Sequence, residues 1–450
     1  MGQEEGEVPT AYYRPEEGWK DKLVQAGRRA YVASAASLRE GGGGDAELDG
    51  LNWDLEDADS CDTEMAKGRA AKPRKAKQAS EETVGLAGVD RYKARRVLKS
   101  HLDAVRAVAF VPREDGEIDI VTGGDDCVVK LWRGVLDGKS SRSDLEPVVT
   151  YRGHVAPVTA LLVTRTTGDL RTVVISASLD STVRIWHLPD ASHSTYDPVD
   201  KHLLLAVLET HGDAVWGLAD LSDSTSSRIA CITASGAIQE WDFETGEMSA
   251  SYTWGEPDAT SQGSLKKRPQ PRPTPTSITK AVVNGERLVA VAFQNAIVKL
   301  LRPSSGEEVK RFHANESYDG TLDTQVNAVA VRTDADLLAT AHEDNCLRIF
   351  DLASGNCLVS TRAHLDGVTS VSFRPPSAGD ILLATSSHDG SVRLWSFDRP
   401  AEGPATLTCV QEESTHRVKA AEGVLDVAFT PAGHALVSTG ADGTVRLWQK

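Results

Sequence analysis

A chain of 450 residues is long enough for two or three average domains, or for one extended repeat array. With 40% hydrophobic and 25% charged residues it can bury a sizeable core, yet its longest apolar runs, such as residues 203–208, fall far short of the ~20 residues a membrane-spanning helix needs. The formal net charge of -16 opposes binding to nucleic acid, which would be repelled on average.

Residues 1–90 differ from everything after them. A glycine run at 41–44, an acidic stretch at 45–59 and a basic one at 67–77 leave no continuous apolar face, so a mostly disordered arm is expected. Residues 18–39 are the exception, because Trp19, Leu23, Ala26, Ala30 and Tyr31 form a weak helical stripe. Lys20, Lys22, Arg28 and Arg29 make the other side of this short amphipathic helix basic, a character shared by calmodulin targets, with an ordinary transient helix as the plainer reading. The 67–77 stretch has the composition of a nuclear localisation signal and, more plainly, of a solvated linker. The N-terminus lacks the basic start and apolar stretch of a secretory leader. Cys61, Cys127, Cys231, Cys346, Cys357 and Cys409, none in a C-x-x-C pair, are therefore expected as reduced thiols.

From residue 91 to 450 the sequence repeats itself. Seven strand-like segments end at Trp132, Trp186, Trp241, Leu301, Phe350, Trp395 and Trp448, spaced 45 to 60 residues apart. Six residues before each end stands a turn residue: Asp126, Asp180, Ser235, Asn295, Asp344, Asp389 and Asp442. Upstream of five turns, at a nearly constant distance of 24 to 26 residues, lies a histidine: His101, His154, His211, His364 or His416. The period is similar to that of WD40 repeats with loop insertions. Each repeat supplies a four-stranded antiparallel sheet that cannot hide both faces alone, so the expected fold is all-β, a closed seven-bladed WD40 β-propeller.

The WD40 resemblance implies that the histidine donates to the turn aspartate and that a serine or threonine ten residues before the tryptophan joins them. Four full sets occur: His101/Thr122/Asp126/Trp132, His154/Ser176/Asp180/Trp186, His364/Thr385/Asp389/Trp395 and His416/Ser438/Asp442/Trp448. Histidine, serine and aspartate together invite a hydrolase-triad reading. A nucleophile would be unique and exposed, whereas this set recurs once per blade, so it is read as structural, with no catalytic residue. Histidines spread around a ring likewise cannot share one metal, and neither metal nor cofactor is expected. Blade 3 departs from the pattern at Cys231 and Ser235, blade 4 keeps none of the polar set, and blade 5 lacks the histidine, so blades 3 to 5 are expected to be the less rigid arc. Residues 95–98 are placed to supply the outer strand of the last blade and close the ring.

Several stretches resemble the striatin family more closely: residues 100–110, the Tyr196-Asp197-Pro198 segment leading to residues 211–219, Thr340-Ala341-His342-Glu343-Asp344, and residues 363–370. The likeness covers roughly residues 96–450. It implies a non-enzymatic scaffold, a regulatory or targeting subunit linking protein phosphatase 2A with germinal-centre kinases, Mob-like and striatin-interacting proteins, and it keeps calmodulin as a candidate partner. It also implies a cytoplasmic location, with endomembranes or the nuclear envelope reached through partners. No sustained heptads precede residue 91, where the family carries a coiled coil. A general WD40 adaptor of another complex is the second reading. By repeat position, Arg106, Asp125, Thr159, Trp216, Asn327, Glu343, Thr369 and His388 point to one face of the ring and form the candidate partner-binding face. The P-x-x-P spacing at 266–275 suits an SH3-like domain, or more plainly an inter-blade loop.

Overall fold

The computed structural model describes residues 91–450 except 114–115, 136–144, 199–200, 211, 254–272, 316–321, 377–380, 401 and 415. The expected N-terminal arm with its helix at 18–39, the basic stretch at 67–77, His211 and most of the 266–275 insertion lie outside the described residues.

Seven four-stranded antiparallel sheets account for all the described strands. Blade 1 runs from its inner strand Val105–Pro112 through Ile118–Gly124 and Val128–Trp132 to its outer strand Val149–Arg152. Blades 2 to 6 repeat this order from inner strands Val158–Arg165, Val215–Asp220, Pro275–Val283, Val326–Arg332 and Val368–Phe373. Blade 7 takes Val424–Phe429, Ala435–Gly440 and Thr444–Gln449 from the end of the sequence and its outer strand, Lys93–Lys99, from before blade 1. Ala94 pairs with Trp448 and Leu98 with Val445, which closes the ring as the repeat pattern predicts. Each inner strand touches the next, and that of blade 7 touches that of blade 1.

The core follows from this geometry. Among the described residues the buried apolar side chains fall into seven clusters, one in every seam between neighbouring blades. The blade 7–1 seam, for example, joins Leu98, Val437 and Leu447 to Val105, Ile120 and Trp132. Second strands such as Thr172–Ser178 are buried at nearly every position, because both their faces meet a neighbour.

Two local devices recur in every blade. The residue after each turn position has a positive φ: Cys127, Ser181, Gly236, Ala296, Asn345, Gly390 and Gly443. Glycine is suited to that conformation at 236, 390 and 443, while Cys127, Ser181 and Ala296 adopt it against their own preference. Each inner strand also breaks register at its second residue, a β-bulge at Arg106, Thr159, Trp216, Thr276, Asn327, Thr369 and Leu425. A bulge leaves one residue out of the ladder and re-aims its side chain.

Candidate functional site

The four full polar sets close as chains of hydrogen bonds. In blade 2 the Trp186 indole N–H donates to Ser176 Oγ at 2.8 Å, and Ser176 lies 2.7 Å from His154 Nε2. Tryptophan can only donate, so the serine hydroxyl donates onward to Nε2, and His154 Nδ1–H is left to donate to Asp180 at 2.9 Å. Blade 1 repeats this with Trp132, Thr122, His101 and Asp126, blade 6 with Trp395, Thr385, His364 and Asp389, and blade 7 with Trp448, Ser438, His416 and Asp442. Burial would raise the Asp180 carboxyl, but the hydrogen bonds from His154, Thr182 and the Val155 amide outweigh it and hold it well below the usual carboxylate range. Asp126, Asp389 and Asp442 are lowered by the same balance. Burial also pushes His364 and His416 down, against the pull of their aspartates, which favours the neutral ring that the chain of donors requires. Every polar group of these sets is engaged within its own blade.

Blades 3 to 5 hold the same place by other means. In blade 3, Gln239 Oε1 accepts the Trp241 indole N–H at 3.3 Å, and Cys231 packs beside it in the serine position. Blade 4 fills the place with buried Val291, Phe293 and Leu301. Blade 5 has a substitute that the histidine pattern misses: Asn315 donates to Asp344 at 2.9 Å, and Arg348 donates to the same carboxylate at 2.6 Å. His342, fully buried, takes the Thr340 hydroxyl at 2.8 Å. Asn315 stands 29 residues before its aspartate, outside the 24-to-26 spacing.

The eight candidate face residues sit on one rim, where inner strands begin and second strands end, and all eight are partly buried. Arg106 chelates Asp125 at 2.5 and 2.8 Å and reaches Glu422 of blade 7 at 3.2 Å. Those carboxylates outweigh the cost of burial and raise the Arg106 basicity, so the guanidinium stays charged. Asn327 donates to Glu343 at 2.7 Å and to the Val368 carbonyl of the next blade at 3.0 Å. Thr159 and Thr369 likewise donate to Val215 and Val424 of the blades that follow, each at 2.7 Å. Trp216 packs against the cluster in the blade 3–4 seam. Thr276, which donates to the Val326 carbonyl at 2.6 Å, and Leu425 complete the bulge ring. Sequence reasoning missed both, since blade 4 has no histidine to mark its start and Leu425 reads as core. Among the described residues no group of His, Cys, Asp and Glu side chains is arranged to hold a metal ion, and no helix is long and apolar enough to cross a membrane.

Comparison with known proteins agrees with this division. The WD domain, G-beta repeat family matches residues 92–133, 145–187, 314–351, 355–396 and 407–449. It leaves out blades 3 and 4, two of the three that lack the histidine set. Over 354 residues, 78% of its length, the chain is 32% identical to striatin-4 of Homo sapiens, 30% to striatin-3 of Rattus norvegicus and 27% to striatin of Mus musculus. The matched stretches are 42%, 40% and 41% of those proteins, so the chain spans about two fifths of each. Seven closed sheets, five matched repeats and this long shared stretch together make the chain a striatin-like WD40 protein.

Proposed function

We propose that the chain is a non-catalytic scaffold that docks protein partners on the bulge rim, and that those partners are protein phosphatase 2A components, kinases and striatin-interacting proteins. The observation that carries this reading is the ring of bulges. All seven blades carry one bulge residue at the same rim, while the histidine sets that resemble catalytic groups are used up inside their blades. Around Arg106 two cations, Arg106 and Lys419, meet the three carboxylates of Asp125, Glu422 and Asp103, and Glu343 of blade 5 adds a further carboxylate to the rim, so it suits a partner with basic side chains. A cytoplasmic location belongs to the same proposal.

Affinity purification of the full chain followed by mass spectrometry tests it. Phosphatase 2A subunits and striatin-interacting proteins are expected with the unaltered chain, and the Trp216→Ala, Glu343→Arg double variant is expected to lose a defined subset. Recovery of a different assembly would replace the reading with that of a general WD40 adaptor. An unchanged set of partners in the variant would move docking away from this rim.

A further inference from the structure

The outer strand of blade 2, Leu204–Glu209, differs from the other six blade edges. It exposes three aliphatic side chains, Leu204 and Leu205 at 38% and Val207 at 40%, whereas no other described outer strand exposes more than one. Blade 3 offers only Met248 and blade 4 only Val309, while the blade 7 edge carries Lys93, Arg95, Arg96 and Lys99. The register with the third strand shifts at Leu205, which leaves that residue out of the ladder. Among the described residues no strand pairs with the far side of Leu204–Glu209. Its backbone donors and acceptors therefore offer a template for another strand. Proteins ordinarily protect such an edge with charge, and here none occurs between residues 203 and 208.

We propose that this edge pairs antiparallel with the same edge of a second copy of the chain, about a two-fold axis through Ala206, joining two four-stranded sheets into one of eight. The strand is self-complementary in that register. Leu205 falls opposite Val207 of the other copy, an exposed apolar pair formed twice about the axis, while Leu204 faces Leu208, whose side chain stays buried in the seam between blades 2 and 3. The two Glu209 carboxylates lie at opposite ends of the ribbon, roughly 20 Å apart for a six-residue strand, whereas parallel pairing would set them side by side. Ala206 meets its own counterpart at the axis. A contact of one strand from each copy is smaller than the ~1,200 Å² at which stable interfaces begin, so the dimer is weak and concentration-dependent.

Sedimentation velocity of the full chain over about 1–100 µM, the range of weak complexes, reads the association directly. The weight-average mass is expected to rise toward that of two chains, and Leu205→Lys and Val207→Lys are each expected to raise the dissociation constant by about tenfold or more. Met248→Lys, on the edge of blade 3, is expected to leave it unchanged. Because these positions are exposed, unaltered thermal melting of the lysine variants would show that they still fold. In a Cys357→Ser background, Ala206→Cys places two thiols across the axis, and oxidised glutathione should produce a cross-linked dimer that Val207→Lys abolishes. A mass that stays at one chain throughout overturns the proposal. So does a dimer indifferent to both lysine substitutions, or an Ala206→Cys variant that still dimerises in sedimentation yet is not cross-linked by oxidised glutathione, since the contact then lies elsewhere in the chain.

Discussion

Blades 6, 7, 1 and 2 fix their turns with one polar device used four times over, whereas blades 3, 4 and 5 each fill the same place with different chemistry. Gln239 takes the tryptophan proton in blade 3, buried Val291, Phe293 and Leu301 occupy the site in blade 4, and Asn315 with Arg348 holds Asp344 in blade 5. All seven sheets nevertheless form, and every seam has its own apolar cluster. Seam packing is therefore what a blade cannot do without. The histidine set is one of several ways to satisfy polar atoms that burial would otherwise strand, and an apolar replacement of similar volume does the same work.

The largest expected effect falls on the part that all blades share. Removing residues 91–99 takes away an entire edge strand with two fully buried side chains, Tyr92 and Leu98, each contributing about 1.5–3 kcal/mol. Tyr92 also donates from its hydroxyl to the Gly433 carbonyl at 2.7 Å. Chemical denaturation should show a loss of about 4 kcal/mol or more, concentrated in blade 7, and an unchanged melting temperature would mean that the strand does not close the ring. Next comes a paired test of the two arcs. Asp389→Ala leaves the Leu365 and Ser391 amides without their acceptor and leaves His364 only Ser391 Oγ, and should cost about 3 kcal/mol. Ser235→Ala, at the equivalent turn of blade 3, should cost under about 1 kcal/mol. Hydrogen exchange should likewise be faster in blades 3 to 5 than in blades 6, 7, 1 and 2, and equal rates would dissolve the distinction.

The smallest effect is a pH dependence carried by buried histidines, to which His342 of blade 5, pushed down by burial, contributes in the same sense as the histidine arc. His364 and His416 have folded pKa values below their ordinary one, so the unfolded chain takes up protons first as pH falls through about 6.5. Their contribution is present above that value and is lost on acidification toward the folded pKa. The four turn aspartates, also lowered, lose theirs only below about pH 4. Glu240 and Asp426, which burial raises, run in the opposite sense. Melting curves between pH 7 and 5 should therefore slope less in a His364→Asn, His416→Asn variant than in the unaltered chain. Equal slopes would show that these rings do not carry the dependence.

Fold and blade number were legible in the sequence because each repeat carries its own markers at fixed spacing, and the borrowed outer strand, expected at residues 95–98 from what blade 7 lacked, stands at Lys93–Lys99. The blade 5 substitute was not. Asn315 stands 29 residues before its aspartate rather than 24 to 26, and asparagine has no place in the histidine template, although an aspartate at 344 with no upstream histidine was a signal that some other donor must reach it. The rim was legible in part. Counting from histidines found Arg106, Thr159 and Thr369 but skipped Thr276, and no sequence rule announced that four bulge side chains would hydrogen-bond to the carbonyl of the following blade. The apolar edge of blade 2 was in view as a run of residues, but only sheet order shows that its far side is open.

Closing the ring with a strand from before blade 1 ties folding to the clock of synthesis. Tyr92 bonds with Gly433 across 341 positions of sequence, and at about 5–20 residues per second a ribosome needs roughly twenty seconds to a minute to cover that distance. Throughout that interval Lys93–Lys99 has left the ribosome with no sheet to join, and blades 1 to 6 stack as an open arc whose two end faces are bare. The four cationic side chains of that waiting strand, Lys93, Arg95, Arg96 and Lys99, keep it in water until its partner exists.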